Sequence, residues 1–354
     1  MWRYVTRMAG GLGLAFVLVG LLLPPVQAQP PSSNALLNVV ATVPELGSLV
    51  RDIGGDHVAV TVFAKGTEDP HFVEAKPSFV KILSRADVFI QIGMGMEIGW
   101  APTLLQQARN PNIVPGAPGY INASTVISPL QVASGTVDRS MGDVHPEGNP
   151  HYLLDPVQGL VVARLIRDRL SGLRPSHQAD FAARYVAFRY RLGAGLVGEP
   201  LATKYDVEKL ALLADQDKLD AFLESQGELE ILGGWWGQLR AHKGTSVVVD
   251  HDQWVYFTQR FGLAVTGLME PKPGLPPTTR HLQTLIKTMR TQEVKLILLG
   301  AYFDPRQAQF LAKHTDAKVV NMAHQIGARP EADDYFHLMD YNVQQIQTAL
   351  TPLK

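Results

Sequence analysis

Residues 37–64, LNVVATVPELGSLVRDIGGDHVAVTVFA, decide the fold class of this chain. Leu37–Val43 is an apolar run with the length of a strand, and Val58–Ala64 is a second such run. Between them, Glu45–Ile53 has the spacing of a short helix that Gly54-Gly55 closes. A strand, a helix and a strand in succession are typical of two parallel strands with a helix crossing one face. The segment therefore predicts an α/β protein.

The same alternation continues along the first half of the chain and returns in the second half. Pro77–Ser84 is predicted as a helix and Ala86–Gly93 as a third strand. Later strand-like runs are Thr245–Asp250, Leu263–Met269, Val294–Leu299 and Ala317–Met322, and the helical stretches among and after them are Trp254–Phe261, Thr278–Arg290, Pro305–His314 and Tyr335–Leu350. We expect two α/β lobes, each a parallel sheet flanked by helices.

The middle of the chain is helical in pattern. Asp155–Leu170 has apolar residues at helical spacing, and Ser176–Leu196 predicts one long rigid helix that joins the lobes. The expected domains are a signal peptide at 1–28, an N-terminal lobe at 35–172, a linker helix at 173–198, a charged helical insertion at 199–234 and a C-terminal lobe at 235–354.

The first 28 residues have the pattern of a secretion signal. Arg3 and Arg7 precede the apolar run Met8–Leu23, and Val26-Gln27-Ala28 offers a cleavage site. A membrane anchor is the alternative, but the run is shorter than the roughly 20 residues of a spanning helix. We expect a cleaved signal and a periplasmic protein. Because no cysteine follows the apolar run, we also expect that the protein is not a lipoprotein.

Composition restricts the classes of partner. The 354 residues carry a formal net charge of −1, which provides no electrostatic reason to expect binding to nucleic acid. The hydrophobic content of 46% fits a well-packed globular chain, which we expect to be a monomer.

Four histidines stand beside turn residues, at or near the ends of strand-like runs: His71, His145, His151 and His251. The chain has no cysteine, so a transition metal would be held by imidazole and carboxylate groups, and neutral imidazole suits zinc and its neighbours. Ligands of open α/β sheets gather at the carboxyl ends of strands. We therefore predict that His71, His151 and His251 meet in the cleft between the lobes. His145 is either an extra ligand or a capture residue in a loop.

Six other histidines have no ligand geometry in the local sequence. We expect surface or hydrogen-bonding roles for them. They are His57, His177, His242, His281, His314 and His337.

Several segments together resemble the zinc- and manganese-specific solute-binding proteins of bacterial ABC importers (the zinc-type, cluster A-I family). The similar segments are Gly66–His71 followed by Lys76-Pro77-Ser78, Asn149–Pro156, His251–Phe257 ending at Phe261-Gly262-Leu263, Glu270-Pro271, and Asp334-Tyr335 to Asn342. Many members have aspartate where this chain has Asn149. The resemblance covers nearly all of the chain after the signal, apart from the insertion.

The resemblance implies two α/β lobes bridged by a rigid helix, with a metal ion as transported ligand between them and an ABC permease as partner. It implies His71, His151 and His251 as ligands, and histidine at the third position favours zinc over manganese. The family usually adds an aspartate after the last strand, where this chain reads Val319–His324. His324 is our preferred fourth ligand, and Asp333, Asp334 or a water are the alternatives.

Three functions remain to be compared. The first is capture of a divalent metal, zinc or alternatively manganese, and delivery to a permease. The second is a zinc-dependent hydrolase, which needs an open coordination position and a carboxylate base. The third is a binding module in which the histidines are structural. No glutamate is placed by a motif next to the candidate ligands, so capture without catalysis is the leading hypothesis.

Overall fold

The computed structural model describes residues 35–133, 145–272 and 274–351. The predicted signal peptide and its cleavage site lie outside the described residues. Among the described helices, none combines the length and apolar character that a bilayer crossing requires.

The first half of the described chain contains four strands and four helices. They are β1 (Leu37–Ala41), α1 (Pro44–Gly54), β2 (Val58–Val62), α2 (Pro77–Leu83), β3 (Val88–Gln91), α3 (Ala101–Ala108), β4 (Tyr120–Asn122) and α4 (Pro156–Leu173). Five helices follow without an intervening strand in the described residues: α5 (Gln178–Val197), α6 (Glu199–Lys204), α7 (Val207–Asp215), α8 (Leu219–Ser225) and α9 (Gly234–Arg240).

The second half returns to alternating strands and helices. They are β5 (Ser246–Val249), α10 (Val255–Phe261), β6 (Ala264–Leu268), α11 (Thr279–Thr291), β7 (Leu296–Leu299), α12 (Pro305–Lys313), β8 (Lys318–Asn321) and α13 (Tyr335–Leu350).

The two sheets have the same topology. Their strand orders are β2-β1-β3-β4 and β6-β5-β7-β8, and the pairs are parallel throughout. This confirms the predicted class of two α/β lobes with parallel sheets. Helix α3 and strand β4 were not predicted from the sequence. Strand β4 has only three residues, and a run of that length has no measurable periodicity.

Helix α5 is the long helix that the sequence predicted. Its buried face contains Phe181, Tyr185, Phe188 and Leu192, each at most 5% exposed, and this face packs among helices that include α1, α4 and α9. Burying one large apolar side chain stabilises a fold by about 1.5–3 kcal/mol. The row of aromatic and aliphatic residues therefore holds α5 firmly against the elements on either side.

Buried polar contacts connect the two halves of the molecule. The guanidinium of Arg260 in α10 donates from Nε and Nη2 to the two carboxylate oxygens of Asp155, at 2.8 and 2.9 Å. The Tyr335 hydroxyl donates to the Leu153 carbonyl at 2.8 Å, and the backbone N–H of Ile326 donates to Glu45 at 2.8 Å. Because these groups are buried, the contacts fix how the second half lies on the first.

Candidate metal centre

His71 is positioned by the aspartate two residues before it. Asp69 accepts from the backbone N–H of His71 at 2.9 Å and from its ring Nδ1 at 2.8 Å. These bonds form at the short 3-10 turn Pro70–Phe72, where proline restricts the backbone. With the proton on Nδ1, the neutral ring presents the lone pair of Nε2 to the interior.

His151 is positioned by Asn149. The backbone N–H of His151 donates to Asn149 Oδ1 at 3.0 Å. The Asn149 amide also donates to the carbonyl of Asp252 at 2.6 Å and to Gln131 Oε1 at 2.9 Å. Asn149 therefore joins the loop of His151 to the loop that follows β5. An aspartate at this position would lack the two donor hydrogens.

His251 directly follows Asp250 at the end of β5. Its ring Nδ1 donates to Glu270 Oε2 at 2.8 Å, which leaves Nε2 available. The completely buried Asp250 accepts from the backbone N–H of His251 at 2.6 Å and from the indole of Trp254 at 2.8 Å. A carboxylate behind each of His71 and His251 orients the ring, as at many metal sites.

The three histidines come together, and we call them the central cluster. One ring nitrogen from each of His71, His151 and His251 lies within 4.8 Å of the other two. Their ring centroids are separated by 5.2 Å (His71 to His151), 5.5 Å (His151 to His251) and 6.0 Å (His71 to His251). Donor atoms on a tetrahedral zinc ion lie about 3.3 Å apart, given bonds of about 2.0 Å. The nitrogen–nitrogen distances, at most 4.8 Å, therefore exceed that spacing by no more than about 1.5 Å.

The electrostatics of the cluster favour neutral imidazole at His151. Burial and the neighbouring His71 lower the pKa of His151 well below its usual value. Its Nε2 is buried and has no hydrogen-bond partner in the described part of the chain. At His251, burial lowers the pKa, but the hydrogen bond and charge of Glu270 outweigh it, so that the pKa is raised. The negative charge of Glu270 would therefore attract a cation bound at the centre of the cluster.

His324 lies beside the central cluster but is not in the group whose nitrogens are mutually within 4.8 Å. Its Nε2 donates to the Glu68 carbonyl at 3.2 Å, so the lone pair of the neutral ring is on Nδ1. That Nδ1 is buried without a partner among the described residues. His324, His151 and Gln325 all line a small pocket of about 30 Å³. Burial lowers the pKa of His324 to about 4. The donor chemistry suits a metal ligand.

The other candidates for a fourth ligand lie elsewhere. Asp334 accepts from the backbone N–H of His337 at the first turn of α13, and Asp333 Oδ1 lies 2.6 Å from His337 Nδ1. Asp333, Asp334 and His337 form a group of their own, in which Asp333 and His337 are exposed and Asp334 is half-buried.

His145 contacts His71 of the central cluster. Its Nε2 lies 3.1 Å from Nε2 of His71, and burial lowers its pKa to about 4. Both of the roles predicted for His145, extra ligand and capture residue, need this proximity.

The sequence did not assign Asp69, Asn149 and Gln325 to the site. Asp69 and Asn149 each stand two residues before a ligand candidate and accept from its backbone N–H, and this short spacing was an available signal. Gln325 is placed in the pocket only by the tertiary fold.

Comparison with known proteins identifies relatives over most of the chain. The model of the family "ZnuA: Zinc-uptake complex component A periplasmic" matches residues 39–195 and 217–349. The metal ABC transporter substrate-binding lipoprotein ScbA of Streptococcus cristatus is 22% identical over 326 residues, 90% of this chain and 91% of that protein. The manganese ABC transporter substrate-binding lipoprotein PsaA of Streptococcus pneumoniae is 22% identical over 337 residues, 94% and 95% of the two chains.

Solved structures share the fold. A crystal structure of ZnuA superimposes with a TM-score of 0.64 at 21% identity, covering 89% of this chain and 100% of that one. The substrate-binding protein FpvC of Pseudomonas aeruginosa, in complex with Mn²⁺, has a TM-score of 0.65 at 20% identity and covers 89% and 98%.

One sequence-based expectation is overturned by these relatives. ScbA and PsaA are both named lipoproteins, so our statement that the protein is not a lipoprotein is wrong. That statement rested on a single absence, the lack of cysteine after the apolar run, and an absence of this kind was too weak to decide membrane attachment.

Proposed function

The chain belongs to the family of periplasmic zinc-uptake complex component A proteins, and from this premise we propose that it captures a divalent transition metal, zinc in preference to manganese, for an ABC importer. Members of this family are substrate-binding transport proteins and not enzymes. The metal is thus the cargo of the protein, and binding and release replace turnover.

The observation that carries the proposal is the meeting of three imidazole nitrogens within 4.8 Å, contributed by loops of both lobes. We assign the ligand atoms as Nε2 of His71, His151 and His251. In each of His71 and His251 the other ring nitrogen is engaged by a carboxylate, and Nε2 of His151 is buried without a protein partner in the described residues. A buried, unpaired acceptor destabilises the fold by about 1–3 kcal/mol, which a bound cation would relieve.

We assign the fourth donor to Nδ1 of His324. The hydrogen bond to the Glu68 carbonyl uses Nε2, which leaves the lone pair of Nδ1 available. His324 also lines the same small pocket as His151. The ligand set is then two residues from the N-terminal half and two from the C-terminal half. We draw the lobes at 35–172 and 235–354, with a linker helix at 173–198 and an insertion at 199–234 between them.

The donor set is the reason to prefer zinc. Imidazole nitrogen binds zinc well, and Mn²⁺ has the lowest affinity of the divalent first-row series for such sites. Manganese is better served by carboxylate and carbonyl oxygens, and the carboxylates of Asp69 and Glu270 are already engaged by ring N–H groups.

Capture and delivery follow from a ligand set divided between two lobes. A bound ion ties the lobes together, so the loaded protein differs in shape or rigidity from the empty one. A permease with its ATPase subunit can distinguish the two forms by that difference. Because protons compete with metal for imidazole, the affinity should fall as the solution is acidified.

The test is metal binding by protein purified without a histidine tag. We expect one tightly bound zinc ion per chain by elemental analysis, and retention of zinc in competition with manganese. His151→Ala and His251→Ala should each lower the zinc affinity by more than about 100-fold, since even residues behind the ligands contribute 10–100-fold.

His242→Ala is the matched control, because His242 lies outside each of the described groups of potential ligands. Wild-type affinity in His151→Ala and His251→Ala would refute the site, and a preference for manganese would refute the choice of metal. A His324→Ala variant with wild-type affinity would remove only the fourth ligand from the proposal.

A further inference from the structure

A second group of metal-binding side chains lies away from the central cluster. It consists of His57, His177 and Asp180, and we call it the outer cluster. One ligand atom from each of these residues lies within 4.8 Å of the other two. His57 ends the turn between α1 and β2, whereas His177 and Asp180 lie at the start of α5. Because 123 residues separate His57 from Asp180, the local sequence gave no sign of the group.

The geometry points to a second, weaker site for zinc or a similar borderline divalent ion, held by His57, His177 and Asp180. The carboxylate oxygen Oδ2 of Asp180 lies 3.1 Å from His57 Nε2 and 4.0 Å from His177 Nδ1. These distances bracket the roughly 3.3 Å between neighbouring donors on a tetrahedral zinc ion. Both nitrogens thus face one carboxylate oxygen at about the spacing that a shared ion requires.

The surroundings hold the two rings in place. The imidazoles of His57 and His177 are stacked, with centroids 4.0 Å apart and an angle of 23° between their planes. The completely buried ring of Phe181 meets each of them edge-on, at 5.5 and 6.4 Å. The side chains of His57 and His177 are 25% and 19% exposed, so one side of the group is apolar and the other reaches solvent.

Three protein donors leave a fourth position for water, which suits a reversible site. The exposed Asp180 provides the single negative charge of the group, and the positive end of the α5 dipole opposes a cation there. Both features predict an affinity below that of the central cluster, where the rings are buried and backed by carboxylates. We expect the outer site to be at least about tenfold weaker, the size of effect that supporting carboxylates have on metal affinity.

A third group, Asp333, Asp334 and His337, is a poorer candidate. It offers one imidazole in place of two, and that ring is 56% exposed. Asp334 already accepts from the backbone at the start of α13. Two imidazoles and a carboxylate are a common donor set for zinc, whereas exposed carboxylates with one histidine are not selective for it.

Metal at the outer cluster would join the turn before β2 to the first turn of α5. A ligand that binds only the folded state stabilises it in proportion to the logarithm of its concentration above Kd. The outer site would thus strengthen the attachment of the long helix to the N-terminal sheet, separately from any effect at the central cluster.

The experiment is a zinc titration of the full chain, followed by competition with a chelator and by thermal unfolding. We expect wild type to bind two zinc ions of different affinity. His151→Ala/His251→Ala should retain the weaker ion, and His57→Ala/His177→Ala should retain the tighter one. Asp180→Asn preserves the shape of the side chain and should weaken the second ion by about tenfold or more. His314→Ala, an exposed histidine outside the described groups, is the control.

The outcomes separate this inference from the proposed function. Saturation of wild type at one zinc ion would overturn the outer site. So would residual binding in His151→Ala/His251→Ala that is unchanged by Asp180→Asn but lost in His337→Ala. If the double variant at 57 and 177 folds poorly by circular dichroism, Asp180→Asn alone decides, and full-affinity binding of two ions by that variant refutes the proposal.

Discussion

The central and outer clusters contain similar donors in different surroundings. In the central cluster, His71 and His251 are 8% and 7% exposed and have Asp69 and Glu270 behind them. In the outer cluster, Asp180 is 61% exposed and is itself a candidate ligand. The central cluster joins two lobes, whereas the outer one joins a turn of the N-terminal lobe to the start of α5. We therefore expect a capture site to differ from a peripheral site in three ways: its ligands are buried, carboxylates support them, and they come from both lobes.

The largest effect should come from breaking the buried tie between the halves of the molecule. Arg260→Met leaves Asp155 buried without its bidentate partner, at a position where both side chains are 5–6% exposed. We expect the free energy of unfolding to fall by about 3–5 kcal/mol. Urea unfolding of the metal-free protein measures this.

The Arg260→Met variant also tests whether the central and outer clusters bind zinc independently. Zinc affinity at the central cluster should fall, because its ligands belong to both halves, and affinity at the outer cluster should stay the same. Equal losses at both clusters would show that the two sites are not independent. Arg306→Met is the control, because Arg306 pairs with Asp304 on the surface.

The next effect concerns a buried carboxyl beside the central cluster. Burial raises the pKa of Glu45 from 4.5 to about 7. The folded state therefore holds this proton more strongly than the unfolded chain does. The associated stability is complete below pH 4.5 and is lost as the pH rises through 7, by up to about 3 kcal/mol.

Glu45→Gln removes this titration but keeps an oxygen for the N–H of Ile326. In metal-free protein, the difference in stability between variant and wild type should grow in favour of the variant from pH 5 to pH 8. The corresponding Asp180→Asn substitution at the exposed outer cluster should produce a much smaller change. A constant difference between Glu45→Gln and wild type across this range would contradict the assignment.

A smaller effect should follow from neutralising the carboxylate behind His251. Glu270→Gln retains a hydrogen-bond acceptor for Nδ1 but removes its charge. We expect zinc affinity at the central cluster to fall by about 10–100-fold with one tight site still present. Competition with a chelator measures the change, and outer-site affinity is the internal reference. An unchanged affinity would mean that orientation alone, and not charge, is what Glu270 provides.

The smallest effect should come from Asn149→Asp. The substitution keeps the acceptor for the N–H of His151 but loses the two donors that reach Asp252 and Gln131. We expect a loss of stability of about 2 kcal/mol, because each of the two lost hydrogen bonds contributes about 1 kcal/mol. Thermal unfolding with and without zinc separates this loss from any change in binding, and a stabilised variant would contradict the role assigned to the amide.

Much of the fold could be predicted because its signals are local. Alternation of strand and helix patterns predicted both sheets, and Phe181, Tyr185, Phe188 and Leu192 predicted the buried face of α5. The short strand β4 was missed because three residues have no measurable period. For the site, the turn residues before His71 and His151 were the useful signal, since loops at the carboxyl ends of strands converge.

Sequence alone determined the fold class, the family resemblance and the residue types from which a metal site could be built, because periodicity, turn chemistry and the lack of cysteine are properties of the chain itself. Tertiary structure decided which histidines meet. It brought His71, His151 and His251 together and put Glu270 behind His251. It also placed His57 beside His177 and beside Asp180, which is 123 residues away in the sequence. Contacts between distant segments depend on how the lobes and α5 pack, and no local pattern records that packing.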